Sequence, residues 1–185
     1  MKKSAILFGA LLGLVSITAN AQTATATVNV RLHPIQTIIV NTANQNVNLD
    51  YKTEANYADG VNETQADHLK IYSTGAFAVT VKSDTDELVS TEAGVTEVID
   101  ASDIFVTASA GTTNALATTG VTYEPAVSLS TSATKLFSST VGGVDKNVSV
   151  NYAAKGNLDK YVNKYFNVQN PTVYTTTVTY TIAAQ

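Results

Sequence analysis

The chain has 185 residues, 44% of them hydrophobic, no cysteine, no tryptophan and a formal net charge of −4. With 11 Lys and Arg against 15 Asp and Glu, and Arg31 its sole arginine, it lacks the clustered cations of a nucleic-acid surface. The absence of cysteine excludes a disulfide framework, so stability has to come from burial and ladder hydrogen bonds.

Lys2 and Lys3 precede an apolar run from Ala5 to Ile17, which ends in the small-residue triplet Ala19, Asn20, Ala21. This is the layout of a secretory signal peptide, with cleavage expected before Gln22. The run is too short for a span of about 20 residues, and no cysteine follows it for acylation. No second apolar stretch offers the mature chain a membrane span. The mature protein, Gln22 to Gln185, is expected as one domain of about 164 residues. Loss of Lys2 and Lys3 moves its charge to −6. Export places it in the periplasm, on the outer cell surface or outside the cell.

Ala24, Ala26, Val28, Val30 and Leu32 alternate with Thr25, Thr27, Asn29 and Arg31, which predicts a first strand with one dry face. Pro34 interrupts it, because proline has no N–H for a ladder, and Ile35–Val40 resumes. Further strands are predicted at Val47–Tyr51, Leu69–Ser73, Phe77–Lys82, Glu97–Ile99, Ile104–Ala108, Val121–Glu124, Val127–Leu129 and Val144–Tyr152. Gly75 reads as a hairpin turn, Asp59-Gly60 and Gly142-Gly143 as sources of positive φ, and Gly111–Gly120 as a loop. Leu158, Tyr161, Val162 and Tyr165 stand at helical spacing behind Asn157, which predicts a short helix or turn over Asn157–Tyr165. The last strand, Val173–Ile182, is the clearest. Tyr174, Thr176, Val178, Tyr180 and Ile182 form its core row, opposite Thr175, Thr177, Thr179 and Thr181. Many short strands at this spacing predict an all-β fold, an antiparallel Ig-like β-sandwich with at most one short helix.

Few residues suggest chemistry. Ser132-Ala133-Thr134-Lys135 fits the S-x-x-K pattern, but its companion motifs are missing and its neighbours alternate like a strand, so it reads as a polar turn. Asp84, Asp86, Glu87, Asp100 and Asp103 offer oxygens to calcium without the spacing of a calcium loop, and read as solvated acids. His33 and His68 have no neighbour at metal-ligand spacing. No catalytic residue, metal or other cofactor is assigned. Of the nine tyrosines, Tyr57, Tyr161 and Tyr165 fall outside the strand patterns and are the candidates for stacking on a sugar.

The alternating opening Thr25–Val30, Val47-Asn-Leu-Asp-Tyr51, Phe77–Lys82 and the closing Tyr174–Ile182 resemble small exported cell-envelope β-sandwich proteins of Bacteroidota. In layout the chain is similar to WxL surface domains and to the spore-coat protein U group. That resemblance implies an envelope role, and some members of the Bacteroidota group carry a peptidoglycan-binding label. Without tryptophan, the wall-binding motif of WxL domains maps onto no residue here. Without cysteine, the disulfide usual in fimbrial subunits has no counterpart, and Tyr180 is not the penultimate aromatic of such a last strand.

The expected function is thus a non-enzymatic structural or adhesive envelope component, with a fibre subunit as its sharpest form. Self-association would run through Ala24, Ala26, Val28, Val30 and Leu32 against Tyr174, Val178, Tyr180 and Ile182. If the first strand pairs with the last inside one chain, the protein is a closed monomer; if it pairs with a neighbour, it is a polymer. The alternative is a module that binds peptidoglycan or another cell-wall glycan.

Overall fold

The computed structural model describes residues 22–156, 159–166 and 170–185, so the predicted signal peptide and the start of the predicted helix at Asn157 lie outside the described residues. The chain divides into two units, Met1–Leu32 and His33–Gln185. In the first, residues 22–32 form no strand, and Ala24 and Ala26 are exposed. Val28, Val30 and Leu32 are 85%, 80% and 90% exposed. This corrects the expected first strand. Period two says which residues share a face, but not which neighbour supplies the ladder, and this segment belongs to no ladder among the described residues.

The second unit is the all-β, antiparallel sandwich. Its main sheet joins β1 (Gln36–Val40), β2 (Gly60–Ser73), β10 (Gly143–Lys155), β6 (Ile104–Ala110) and β8 (Val127–Ser128), in that order. The second sheet joins β12 (Val178–Ala184), β3 (Phe77–Ser83), β9 (Thr134–Ser139) and β7 (Val121–Tyr123). A third, small sheet holds β11 (Tyr174–Thr175), β4 (Glu87–Ser90) and β5 (Val98–Asp100). Period two builds the core: Phe77, Val79 and Val81 of β3 are buried, and so are Val148, Val150, Tyr152 and Ala154 of β10. They pack with Leu69, Ile71, Val106, Leu136 and Phe137, and Phe77 meets Phe137 edge to face at 6.4 Å. Each large side chain so buried contributes about 1.5–3 kcal/mol.

Several expectations are revised. Gly75 links two sheets rather than closing a hairpin, since β2 and β3 lie in different sheets. Val47–Tyr51 joins no ladder among the described residues. The last strand is divided: Tyr174 and Thr175 pair with β4, whereas Val178–Ala184 pair with β3. A continuous alternating run can change partners without losing its period. Consequently β12 is an edge strand, although its core row of Val178, Tyr180 and Ile182 does pack on the core. β4 was not anticipated, and β9 falls in part on the residues around Lys135 that alternate like a strand. In β9 the alternation is broken by a bulge, where Val79 pairs with Phe137 but Thr80 pairs with Lys135, leaving Leu136 as the extra buried residue.

The helix α1 lies at Glu54–Asp59, where Thr53 caps it reciprocally with Asn56. The region expected to be helical holds only a single 3-10 turn, Val162–Lys164, among its described residues. After α1 the chain turns into β2 through Gly60, at φ +92. Gly60 faces Gly156 at the far end of β10, and a Cβ on either would run into the other's backbone.

Candidate functional site

The sandwich carries a groove of about 1170 Å³ lined by Val40, at the end of β1, and by Val178 and Tyr180 of β12. Both strands are edges of their sheets, so each has one side without a ladder partner among the described residues. Leu88, Ile104 and Leu129 line the apolar interior. Val47, Leu49 and Tyr51 line it too. The alternation that predicted a strand at Val47–Tyr51 thus reports a face that packs on the core, without a ladder among the described residues.

A buried polar chain links the two main sheets beside this groove. His68 of β2 is 2% exposed, and its Nε2 lies 2.9 Å from the Tyr152 hydroxyl of β10. That hydroxyl is 2.5 Å from the hydroxyl of Tyr180 on β12. The rings of Tyr152 and Tyr180 both meet His68 edge-on, at 5.6 and 6.0 Å. Burial pushes the Tyr152 hydroxyl up to about 12 and raises that of Tyr180 as well, so both stay protonated. His68 lies next to a bulge in β2, where Leu69 pairs with Val148 but Gln65 with Val150. Asp67, at φ +51, occupies that bulge and accepts hydrogen bonds from Thr112 N at 2.6 Å and Thr113 Oγ1 at 2.6 Å. The Thr113 hydroxyl is the main reason its carboxyl falls to about 2. The bulge breaks the pleat and sends His68 and Leu69 inward in succession, which sequence periodicity gave no sign of.

All three tyrosines proposed for sugar stacking line the groove, in different states. Tyr161 is 6% exposed, Tyr57 is half-buried and Tyr165 is exposed. Tyr51 ties two of them together, with ring centroids 5.3 Å from Tyr57 and 5.4 Å from Tyr161. The Tyr161 hydroxyl donates to Asp103 at 2.7 Å. Asp103, 1% exposed, also accepts from Lys155 at 3.1 Å and pairs with Lys160. Burial pushes the Asp103 carboxyl up, but hydrogen bonds from Lys160, Tyr161 and Lys155 outweigh it and hold the pKa below the usual carboxylate range. Asp103→Ala should destabilise the protein by about 2–3 kcal/mol in urea melts. The figure sits at or below the low end for a broken buried pair because both lysines keep contact with water. Asp103→Asn, which keeps an acceptor for Tyr161, should recover part of the loss.

Of the other sequence candidates, Asp100 joins Asp103 through Lys160, with which both pair, whereas Asp84 accepts from Thr179 and Asp86 from Thr131 in contacts of their own. Among the described residues no group of three His, Cys, Asp or Glu side chains could hold a metal ion. Lys135 pairs with Glu124 at 2.6 Å, and Ser132 precedes β9 in a bend. Tyr174 donates its hydroxyl to the Lys164 carbonyl at 2.7 Å. Among the described residues no helix is long and apolar enough to cross a membrane.

No protein-family model matches the chain, and no curated protein is detectably similar to it in sequence. The functional reading therefore rests on the groove, the two edge strands beside it and the exposed apolar row of residues 24–32.

Proposed function

We propose that this is a non-enzymatic exported structural component of the cell envelope that assembles by strand donation between copies, in the manner of a fibre subunit. The observation that supports the reading most strongly is the exposure of Val28, Val30 and Leu32 in an alternating row that joins no ladder. Such a row gains stability by adding a ladder and burying its apolar face at once. The apolar groove beside β1 and β12 offers both. In this reading Ala24, Ala26, Val28, Val30 and Leu32 of one copy enter the groove of the next, against Val178 and Tyr180.

Mature protein should run as a concentration-dependent series of oligomers in size-exclusion chromatography. A chain starting at Ile35 should keep the same circular dichroism and remain a monomer, because its core is drawn from residues beyond it. A peptide of residues 24–32 should bind that monomer and block its incorporation into mature oligomers. Mature protein that stays monomeric at every concentration, or a shortened chain that assembles equally well, would overturn the proposal.

A second reading, binding to a cell-wall glycan, is favoured by one observation: Tyr57 and Tyr165 share the groove with Tyr51 and Tyr161. It would be adopted if insoluble peptidoglycan retained mature protein and Tyr57→Ala with Tyr165→Ala abolished retention without altering oligomer size.

A further inference from the structure

His68 has no form that fits its surroundings once charged. Its Nε2 is matched to the Tyr152 hydroxyl, while its buried Nδ1 has no hydrogen-bond partner among the described residues. The titratable groups facing it are Tyr152 from β10 and Tyr180 from β12, both neutral hydroxyls; just past β1 the Asn41 N–H bonds the His68 carbonyl. The groove's charged side chains, Asp50, Lys52 and Lys164, make no recorded bond to its ring, and burial alone lowers its pKa. An imidazolium there would carry an unpartnered N–H into apolar space.

The three linked residues sit on unequal supports. β2 and β10 are interior strands, each paired on both sides, whereas β12 is paired only with β3. Water therefore reaches the ring at least cost by release of β12, not by parting β2 from β10. We infer that the His68–Tyr152–Tyr180 chain is an acid-sensitive latch that holds edge strand β12 against the wall of the groove. The sign follows from the neutral imidazole being the form that fits. The latched state keeps its full advantage above the ordinary histidine range and loses it as pH falls below that range. For assembly, which rests on the strand-donation reading, a strand seated in the groove needs β12 in place as part of the groove wall, so acid should also dissociate oligomers.

The test follows hydrogen exchange of mature protein, corrected for intrinsic rates, between about pH 7.5 and about pH 4.5. Protection of the β12 amides bonded to β3 should fall at least about tenfold, while β6 and the centre of β10 keep theirs. The His68 ring signal should titrate below the ordinary histidine range in NMR spectra, in step with the loss of β12 protection. His68→Phe should make β12 protection independent of pH; should that variant not fold, Tyr180→Phe, which cuts the chain but keeps the ring, should loosen β12 already at neutral pH. Protection that is flat in the wild type, lost equally from β10 and β12, or unchanged by Tyr180→Phe would overturn the latch. These readouts need no oligomer, so size-exclusion chromatography at neutral pH judges strand donation separately.

Discussion

Tyr180→Ser should destabilise the sandwich by about 2–4 kcal/mol, read as a shift of the urea midpoint at unchanged slope. The substitution removes an aromatic ring packed on the core and against His68, and it deprives the Tyr152 hydroxyl of a partner 2.5 Å away. An edge strand relaxes more readily than a central one, which keeps the loss below that of a fully enclosed ring such as Phe77. Thr179→Ser, next along the strand, keeps the hydroxyl that donates to Asp84 and should change stability by less than about 0.5 kcal/mol. Equal, small effects from both would mean that Tyr180 does not hold the core row of β12.

Gly60→Ala should be more damaging, at about 3–5 kcal/mol. Two independent causes add. A residue with a Cβ at φ +92 is strained by about 1–3 kcal/mol, and its methyl would meet the Ala154 carbonyl and the Gly156 backbone, contacts that flexible side chains cannot relieve. The β2–β10 ladder would have to part at its Lys155–Gly60 end, which is also where the Lys155 carbonyl receives the Tyr51 hydroxyl at 2.6 Å. The tyrosine cluster at the groove should loosen with it, visible as a blue-shifted tyrosine absorption and a weaker near-ultraviolet circular dichroism. Gly156→Ala should behave alike. A Gly60→Ala protein with wild-type stability would show that the close approach of the two glycines is not required.

These two positions also mark what could and could not be read from the chain. The core row Val178, Tyr180, Ile182 was legible because alternation marks the residues that share a face, and here that face packs on the core. The partners of that row were not legible: alternation continues unbroken from Tyr174 to Ile182, while the ladder changes from β4 to β3 after Thr175. Gly60 was expected to turn the chain, and does, but its contact with Gly156 joins two residues far apart in the sequence, which no local pattern announces. The same limit explains the segment Ala24–Leu32, whose periodicity is that of a strand although it has no ladder among the described residues. Within the groove, Tyr57, Tyr161 and Tyr165 were found by elimination from the strand patterns. His68 and Asp103 were not, because one owes its place to a bulge and the other to lysines and a tyrosine more than 50 residues away. Short elements were the hardest: α1 has six residues, and only its Thr53 and Asn56 caps announce it.

The five-residue register between β1 and β2 has a mechanical side. If copies are joined through residues 22–32, tension on one copy enters its sandwich at Gln36, where a pull in line with β1 would follow the strand axis. Gln36 is aligned with Ser73 and Val40 with Leu69, so a pull along that axis loads the rungs side by side. Rungs loaded together must break together, whereas a pull across the strand would unzip them one at a time. The opening of the sandwich would thus be reinforced in the direction in which a filament is stretched, and a force ramp applied at the N-terminus should meet its first yield at the β1–β2 ladder.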